Sequence, residues 1–415
     1  MIVSLFGYGK TTRAIAEKLG PCDFYDDHVT VPHKDDKGNR LLPPSLFDPE
    51  KSDVEIPSPG FPPTHPLIRE AKNLISEYDL FLSDYGRQIR ESRIGISSFS
   101  PRPFTIWISG TNGKTTTTQM LTHLLEDRGA VSGGNIGTPL ARMDAKAPIW
   151  VLETSSFTLH YTRFAKPDLY LLLPVTPDHL SWHGGEEAYT ADKLKPLGFM
   201  QEGEAVLLPH LFERCATDGF LIPYEGTDDI CAYFGIDPKK VEFEGAFALD
   251  AVLALGVAKI LFDEIDYEKI NKFKLEPHRQ EKIIDSRGRL WINDTKATNI
   301  DATAQALVPW KERTVHLILG GDDKGVDLSP LFEKLKEYDL FIYAIGSNRE
   351  KIAKLAQRYR IGCEVDETLE RAVEAIDKRH TQKSVAILSP AAASLDQFAS
   401  YAQRGELFKK IVSSF

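Results

Sequence analysis

Apolar residues in this chain fall in short runs, each closed by a glycine-rich or polar turn. The first run, residues 2–6, reads as a strand that meets glycine at once in Gly7-Tyr8-Gly9. Apolar positions then return at helical spacing over 11–19, until Gly20 stops them. Polar, proline-rich sequence occupies 35–66. A second set of strand-like runs covers 104–109, 149–153 and 169–175, with helical stretches between them, and a third covers 290–293, 314–319, 340–345 and 385–388 in the same alternation. Strands that look buried on both faces and alternate with helices are what a parallel sheet built from crossovers requires. The chain therefore reads as α/β throughout, with no solenoid repeat or low-complexity tract.

A chain of 415 residues holds two to four domains, with three as the central expectation. In the stretch 97–103, Pro101 and Pro103 each keep the preceding residue out of helix, which sets a boundary near residue 100. Pro277-His278 opens the third set of strands. We expect three domains: 1–100, Rossmann-like from its strand, glycine turn and helix; 101–276; and 277–415, again Rossmann-like.

Composition narrows the classes open to such a chain. The 42% hydrophobic and 27% charged residues are those of a soluble globular protein, and the net charge of -10 gives no general attraction to nucleic acid or anionic lipid. No apolar run approaches the roughly 20 residues that cross a bilayer, and residues 1–7 lack the basic and long apolar regions of a secretion signal. Cys22, Cys215, Cys231 and Cys363 lie far apart without CxxC spacing. That argues against a zinc site or a disulfide framework and for a reducing compartment. A cytoplasmic monomer without nucleic-acid or membrane partners is the expectation.

The strongest chemical signal is Gly110-Thr111-Asn112-Gly113-Lys114-Thr115-Thr116, directly after a strand and before the helix expected over 118–126. Backbone N–H groups of a glycine-rich turn approach phosphates closely and the helix N-terminus adds positive potential. Lys114 then reaches the β/γ-phosphates, and Thr115 is placed to hold Mg²⁺. The pattern departs from the common GxxxxGK[ST] form, because Ile108 stands where the first glycine should be. In open α/β sheets ligands bind beyond the carboxyl ends of strands, so residues 110–116, 153–156 and 176–179 should share one crevice.

The compact GTNGKTTT loop resembles that of the Mur ligases and folylpolyglutamate synthetases. The resemblance continues in order through Gly133-Gly134-Asn135-Ile136-Gly137, Leu152-Glu153-Thr154-Ser155-Ser156-Phe157, Thr176-Pro177-Asp178-His179-Leu180 and Ala191-Asp192-Lys193-Leu194. It runs on through Pro277-His278-Arg279, Asn293-Asp294-Thr295-Lys296-Ala297-Thr298-Asn299, Gly320-Gly321-Asp322-Asp323-Lys324 and Leu388-Ser389-Pro390. The chain is thereby similar to the Mur ligase family over nearly its whole length. Thr298-Asn299, the GGDDK turn and Ser394-Leu395-Asp396-Gln397-Phe398 look most like the branch that adds D-glutamate to UDP-N-acetylmuramoyl-L-alanine.

The resemblance implies three-domain Mur ligase architecture, with a P-loop ATPase-like centre between two Rossmann-like domains. It also implies ATP-driven formation of an acyl phosphate and then a tetrahedral intermediate, in peptidoglycan precursor synthesis. Charge on the phosphoryl and tetrahedral oxygens calls for cations. Thr115 and Glu153 suit one Mg²⁺ and His179 a second, while Lys114 acts as the phosphate cation. The family pattern implies that Lys193 carries a CO₂-derived carbamate, which turns a cation that would repel the second Mg²⁺ into an oxygen ligand. For the UDP-sugar, Gly9, Lys10, Thr11, Asp26 and Asp27 resemble uracil-contacting positions. Gly60 resembles part of the same pocket, and Asn135 and Ser155 lie where the rest of that substrate is expected.

Arg279 is placed to cap the γ-phosphate, Asp294 to accept ribose hydroxyls and Lys296 to meet phosphate. His278, Thr298, Lys324, Ser394, Leu395 and Tyr401 are the expected D-glutamate positions. One departure stands out: where the family shows HN-x-x-N against adenine, this chain reads 245–250 as GAFALD, so Asp250 replaces the last asparagine. A UDP-sugar binding module without turnover is the rival reading from another class, and intact Lys114, Glu153, His179 and Lys193 count against it. A folylpolyglutamate synthetase-like ligase is the rival among enzymes, and it has no need of the segment before residue 100. A nicotinamide oxidoreductase fails on GxGxxG, since Thr12 stands where the third glycine should be.

Overall fold

The computed structural model describes residues 1–94, 102–135, 137–323 and 325–415. Ile136, Lys324 and the linker residues 97–101 lie outside them. The described residues form three sheets. The first holds β1 (Val3–Phe6), β2 (Asp23–Tyr25), β3 (His33–Lys34), β4 (Arg40–Leu42) and β5 (Val54–Pro57) in the order β3-β4-β2-β1-β5. Only its β3–β4 pair is antiparallel.

The second sheet is parallel throughout: β6 (Phe104–Ser109), β7 (Ala130–Gly134), β8 (Ile149–Glu153), β9 (Leu169–Leu172), β10 (Ala205–Pro209) and β11 (Phe220–Tyr224), ordered β11-β10-β9-β6-β8-β7. The third holds β12 (Glu281–Ile284), β13 (Leu290–Asn293), β14 (Val315–Gly320), β15 (Leu340–Ile345), β16 (Gly362–Glu367) and β17 (Val385–Leu388), ordered β12-β13-β17-β14-β15-β16. Here only β12 runs antiparallel to its neighbour. Met1–Glu242 with Leu249–Phe273 make one compact unit, which contains the first two sheets; Phe243–Ala248 with Lys274–Phe415 make another, which contains the third.

Burial explains why these runs became strands. Ile106, Trp107 and Ile108 of β6 are sealed from solvent, as are Val151 and Leu152 of β8 and Leu171 and Leu172 of β9, so the middle of the second sheet is covered on both faces. The third strand of that sheet is shorter than its apolar pattern predicts and ends at Leu172 rather than residue 175. Leu173 still donates to the Ser109 carbonyl, but Pro174 has no N–H to continue the ladder. The helix after the glycine loop starts earlier than expected, at Lys114, because Gly113 takes a left-handed N-cap conformation (φ 83°) that turns the chain straight into the helix.

His316 and His380 are both buried in the second unit. His316 on β14 and His380 lie with their rings 5.7 Å apart; His316 Nδ1 meets the Tyr343 hydroxyl, and His380 meets the Ser384 hydroxyl and the Leu290 carbonyl. Burial, helped by Arg379 beside one and by the other ring beside the second, pushes both down to about 4. Their folded values lie below the unfolded value of about 6.5, so the neutral pair contributes its stability above that pH and loses it as pH falls from about 6.5 to 4. We expect urea unfolding to show a loss of about 3 kcal/mol for each histidine over that window, and a smaller total loss in His316→Gln. An identical loss in the variant would remove the histidines as its cause.

Candidate active site

β6 lies between β9 and β8, in register Ile108↔Glu153 and Ser109↔Leu172, so the carboxyl ends of the three strands stand side by side. The loops leaving them are laced together. Thr111 N donates to the Pro174 carbonyl, the Thr111 hydroxyl donates to the Thr176 carbonyl at 2.8 Å, and Thr154 N donates to the Ile108 carbonyl. Of the segments 110–116, 153–156 and 176–179 expected to share one crevice, Thr111, Thr154 and Thr176 are thus held at the three strand ends.

Two glycines make the loop possible. Gly110 sits at φ 137°, where a Cβ would come within 2.5 Å of Leu173 Cβ; at Gly113 a Cβ would meet Asp250 Oδ1 at 2.6 Å. Gly110→Ala should therefore lose about 1–3 kcal/mol of stability in denaturant titration. Unchanged stability would mean that the loop is not held in this conformation.

Lys114 curls back over the loop, with Nζ 3.0 Å from the Gly110 carbonyl and 2.8 Å from that of Thr111. Thr115 donates to Glu153 Oε2 at 2.9 Å, and the other oxygen of the same buried carboxylate accepts from Asn135 Nδ2 at 2.6 Å. A carboxylate and a hydroxyl face to face at the mouth of the loop form an oxygen-donor pair of the type magnesium prefers. Thr116 is buried in the first turn. Asp250 accepts from the Thr117 hydroxyl at 2.9 Å, which sets its carboxylate behind Gly113.

Lys193 is almost completely buried, and its Nζ lies 2.7 Å from the Gly110 carbonyl and 4.7 Å from the ring centre of Tyr189. Burial, then the charge of Lys114, pushes this ammonium well below the ordinary lysine range. His179 is half-exposed at the start of the short helix Leu180–His183, in a left-handed conformation (φ 52°), with its ring 4.8 Å from Phe157.

The first sheet brings its candidates to the same unit. Lys10 donates to the Gly137 carbonyl, and a Cβ on Gly9 would lie 3.3 Å from the Ser58 hydroxyl. Thr11 is half-buried in the first turn of the helix Lys10–Leu19. Asp26 accepts from Tyr8 N at 2.7 Å, Asp27 faces His65 at 3.1 Å, and the Gly60 carbonyl accepts from Trp182 Nε1 at 3.1 Å. Ser155 caps the helix Ser156–Tyr161 through its hydroxyl.

In the second unit, β13, β17 and β14 are neighbours, and the candidates lie at their carboxyl ends. Asp294 is buried; that burial, offset by hydrogen bonds from Ser389 and Gln280 N and by Arg279, raises it to about 7. Lys296 pairs with Glu276 at 2.7 Å, and Arg279 lies 3.9 Å from the same carboxylate. His278 is buried against Asn293 Nδ2 at 2.9 Å, with Tyr401 edge-on to its ring. Thr298 and Leu395 are exposed and Ser394 is buried.

Arg404 is a contributor the motifs did not reveal. Its buried guanidinium donates to the Thr295 hydroxyl and to the Thr295 and Ala392 carbonyls, so it ties the turn after β13 to the one after β17. Tyr78 does similar work in the first unit, reaching the Glu153 carbonyl and the Thr154 hydroxyl. Neither lies in one of the motifs singled out in the sequence, Tyr78 standing between Glu77 and Asp79 and Arg404 before Gly405.

Strand order, glycine loop and the carboxylate–hydroxyl pair at its mouth define a P-loop α/β protein. Residues 108–213 match the Mur ligase middle domain. The chain is 51% identical, over 100% of both sequences, to a UDP-N-acetylmuramoylalanine–D-glutamate ligase of Campylobacter jejuni subsp. jejuni serotype O:6. It is 45% identical to the Helicobacter pylori (strain J99) protein of the same name, over 99% of each. The MurF ligase of Thermotoga maritima, solved in complex with ADP, shares the fold with a TM-score of 0.57 at 15% identity, over 95% of this chain and 94% of that one. The chain belongs to the Mur ligases, in the family of UDP-N-acetylmuramoylalanine–D-glutamate ligases. Among the described residues no helix is long and apolar enough to cross a membrane.

Proposed function

We propose that this protein is an ATP-dependent ligase that joins D-glutamate to UDP-N-acetylmuramoyl-L-alanine in the cytoplasmic synthesis of peptidoglycan precursors. The observation that carries the reading is the meeting of the Lys114 loop, the Thr115–Glu153 pair and buried Lys193 at three adjacent strand ends. An amide cannot form from a carboxylate without activation. A substrate carboxylate oxygen attacks the γ-phosphorus and ADP leaves; the D-glutamate amine then attacks the acyl carbon, and phosphate leaves from the tetrahedral adduct.

The loop amides and Lys114 hold the phosphates in this scheme, with Lys114 exchanging its carbonyl partners for phosphate oxygens. The Thr115 and Glu153 oxygens suit Mg²⁺, which when bound neutralises phosphate charge. Lys193 and His179 are the candidates for a second Mg²⁺. The depressed basicity of Lys193 supports a carbamate there, since a neutral amine attacks CO₂: the N–C bond forms, the nitrogen gives up a proton, and a carboxylate-like group remains.

Gly9, Lys10, Thr11, Asp26, Asp27, Gly60, Asn135 and Ser155 are assigned to the UDP-sugar. The second unit supplies Arg279, Asp294 and Lys296 for nucleotide and His278, Thr298, Lys324, Ser394, Leu395 and Tyr401 for D-glutamate. Asp250 takes the adenine-side position. The proposed domains are 1–100, 101–276 and 277–415, and the proposed working species is a monomer.

Phosphate release should need ATP, Mg²⁺, UDP-N-acetylmuramoyl-L-alanine and D-glutamate together, and fall to background when any one is omitted. Equal turnover with L-glutamate would count against the D-glutamate assignment.

A further inference from the structure

Three helices of the first unit each bring one metal-ligating side chain to a common point. His160 comes from the helix Ser156–Tyr161, His183 from Leu180–His183 and Asp192 from Glu186–Leu194. Asp192 Oδ2 lies 2.9 Å from His160 Nδ1 and 2.7 Å from His183 Nδ1, and one ligand atom from each residue falls within 4.8 Å of the other two. The ligase reaction uses none of the three. We propose that His160, His183 and Asp192 form a site for a divalent transition-metal ion of the zinc type, separate from the magnesium positions at Thr115, Glu153 and His179.

In the metal-free protein the Asp192 carboxylate bridges the two imidazoles through their Nδ1 atoms, and His183 Nε2 lies 3.0 Å from the Ser156 hydroxyl. Both rings therefore already present the same nitrogen to the same oxygen. Tetrahedral ligation with bonds of about 2.1 Å spaces ligand atoms roughly 3.4 Å apart, so the carboxylate withdraws from its 2.9 and 2.7 Å contacts to admit an ion. In the ion-bound form each ligating Nδ1 carries no proton and each Nε2 carries one. His183 Nε2–H then donates to Ser156 Oγ, the outer-shell hydrogen bond that fixes a ligating imidazole.

The His183 side chain is fully buried, whereas that of His160 keeps 31% exposure. His160 is thus the entry side and the place for a water as fourth ligand. Lys195 Nζ donates to the His160 carbonyl at 2.7 Å and anchors the backbone from which that ring swings. Two imidazoles and one carboxylate select zinc, cobalt or nickel over magnesium, which prefers an all-oxygen shell. The four cysteines are not involved, which is why their spacing, read as evidence against a zinc site, carried no information about this one. An ion here clamps together the helices that carry Ser156 and Lys193 and the one that His179 caps.

The test is a Co²⁺ titration of the full-length chain after treatment with a chelator. We expect one ion per chain, with the visible d–d absorption of a low-coordinate nitrogen–oxygen site, displaced by Zn²⁺ and not by millimolar Mg²⁺. His160→Gln and Asp192→Asn should each weaken Zn²⁺ binding by more than about 100-fold, while Glu153→Gln binds as the parent does. Should Asp192→Asn fail to fold, His160→Gln decides, since its ring is partly exposed and its loss leaves the Asp192–His183 contact in place. Absence of the absorption, its displacement by Mg²⁺, its loss in Glu153→Gln, or its persistence in folded His160→Gln would each overturn the site. All these readouts are independent of ligase turnover.

Discussion

Lys114→Ala should lower kcat for phosphate release by about 10³-fold, the size of effect seen when one preorganised group facing developing charge is removed. Lys114 is the first residue of its helix, with Nζ at the Gly110 and Thr111 carbonyls, so its ammonium is already at the loop when a polyphosphate arrives. Alanine tolerates that helical position, and the left-handed turn is made by Gly113, which stays. Thermal unfolding should therefore move little while turnover collapses. Wild-type turnover in a folded Lys114→Ala protein would sink the phosphate-loop assignment.

Lys193→Ala should be as damaging, at about 10²–10³-fold, and its diagnostic is partial recovery. If the side chain works as a carbamate, small carboxylates such as acetate, diffusing into the vacated space, should restore part of the rate. A purely structural lysine would give no such rescue. The comparison matters because Lys193 is buried with its ammonium over the Tyr189 ring, so truncation also removes contacts. Lys195→Ala, two residues on, should matter much less. Mass spectrometry of CO₂-equilibrated, chemically trapped protein should find the added mass on Lys193. An unmodified Lys193 together with an active Lys193→Ala protein would remove the second-metal part of the mechanism.

What could be read in the sequence follows from how each element is buried. Strands β6, β8, β15 and β17 are continuous apolar runs because both faces are covered, and their bounds match the pattern. β7 is Ala-Val-Ser-Gly-Gly and carries almost no hydrophobic signal; it is a strand because β8 offers it a ladder. β5 hides inside a proline-rich stretch, and β12 is a sheet edge whose residues alternate between exposed and half-exposed. At the site, the glycine loop that leads into the helix from Lys114 was legible, because a glycine turn between a buried strand and a helix is a strong local pattern. The burial of Lys193 was not, since Ala-Asp-Lys-Leu on a helix reads as a solvated lysine until Gly110, Tyr189 and Lys114 are seen around it. Nor was the His160–His183–Asp192 cluster, whose members come from three separate helices.

The first compact unit is discontinuous in the chain: it needs Leu249–Phe273 as well as Met1–Glu242. Ala251, Val252, Leu253, Ala254 and Leu255 are completely buried, and the Lys269 carbonyl faces His123. During synthesis, then, β6 can find β8 and β9 long before the apolar residues that seal the unit leave the ribosome. A nascent chain that stops at residue 242 carries an unsealed hydrophobic face, in a parallel sheet whose β9–β6 and β6–β8 pairings join strands distant in sequence, contacts that form slowly. The growing polypeptide is most exposed to aggregation or chaperone capture in that interval, and the phosphate loop becomes fixed behind Gly113 only when Asp250 arrives to close it.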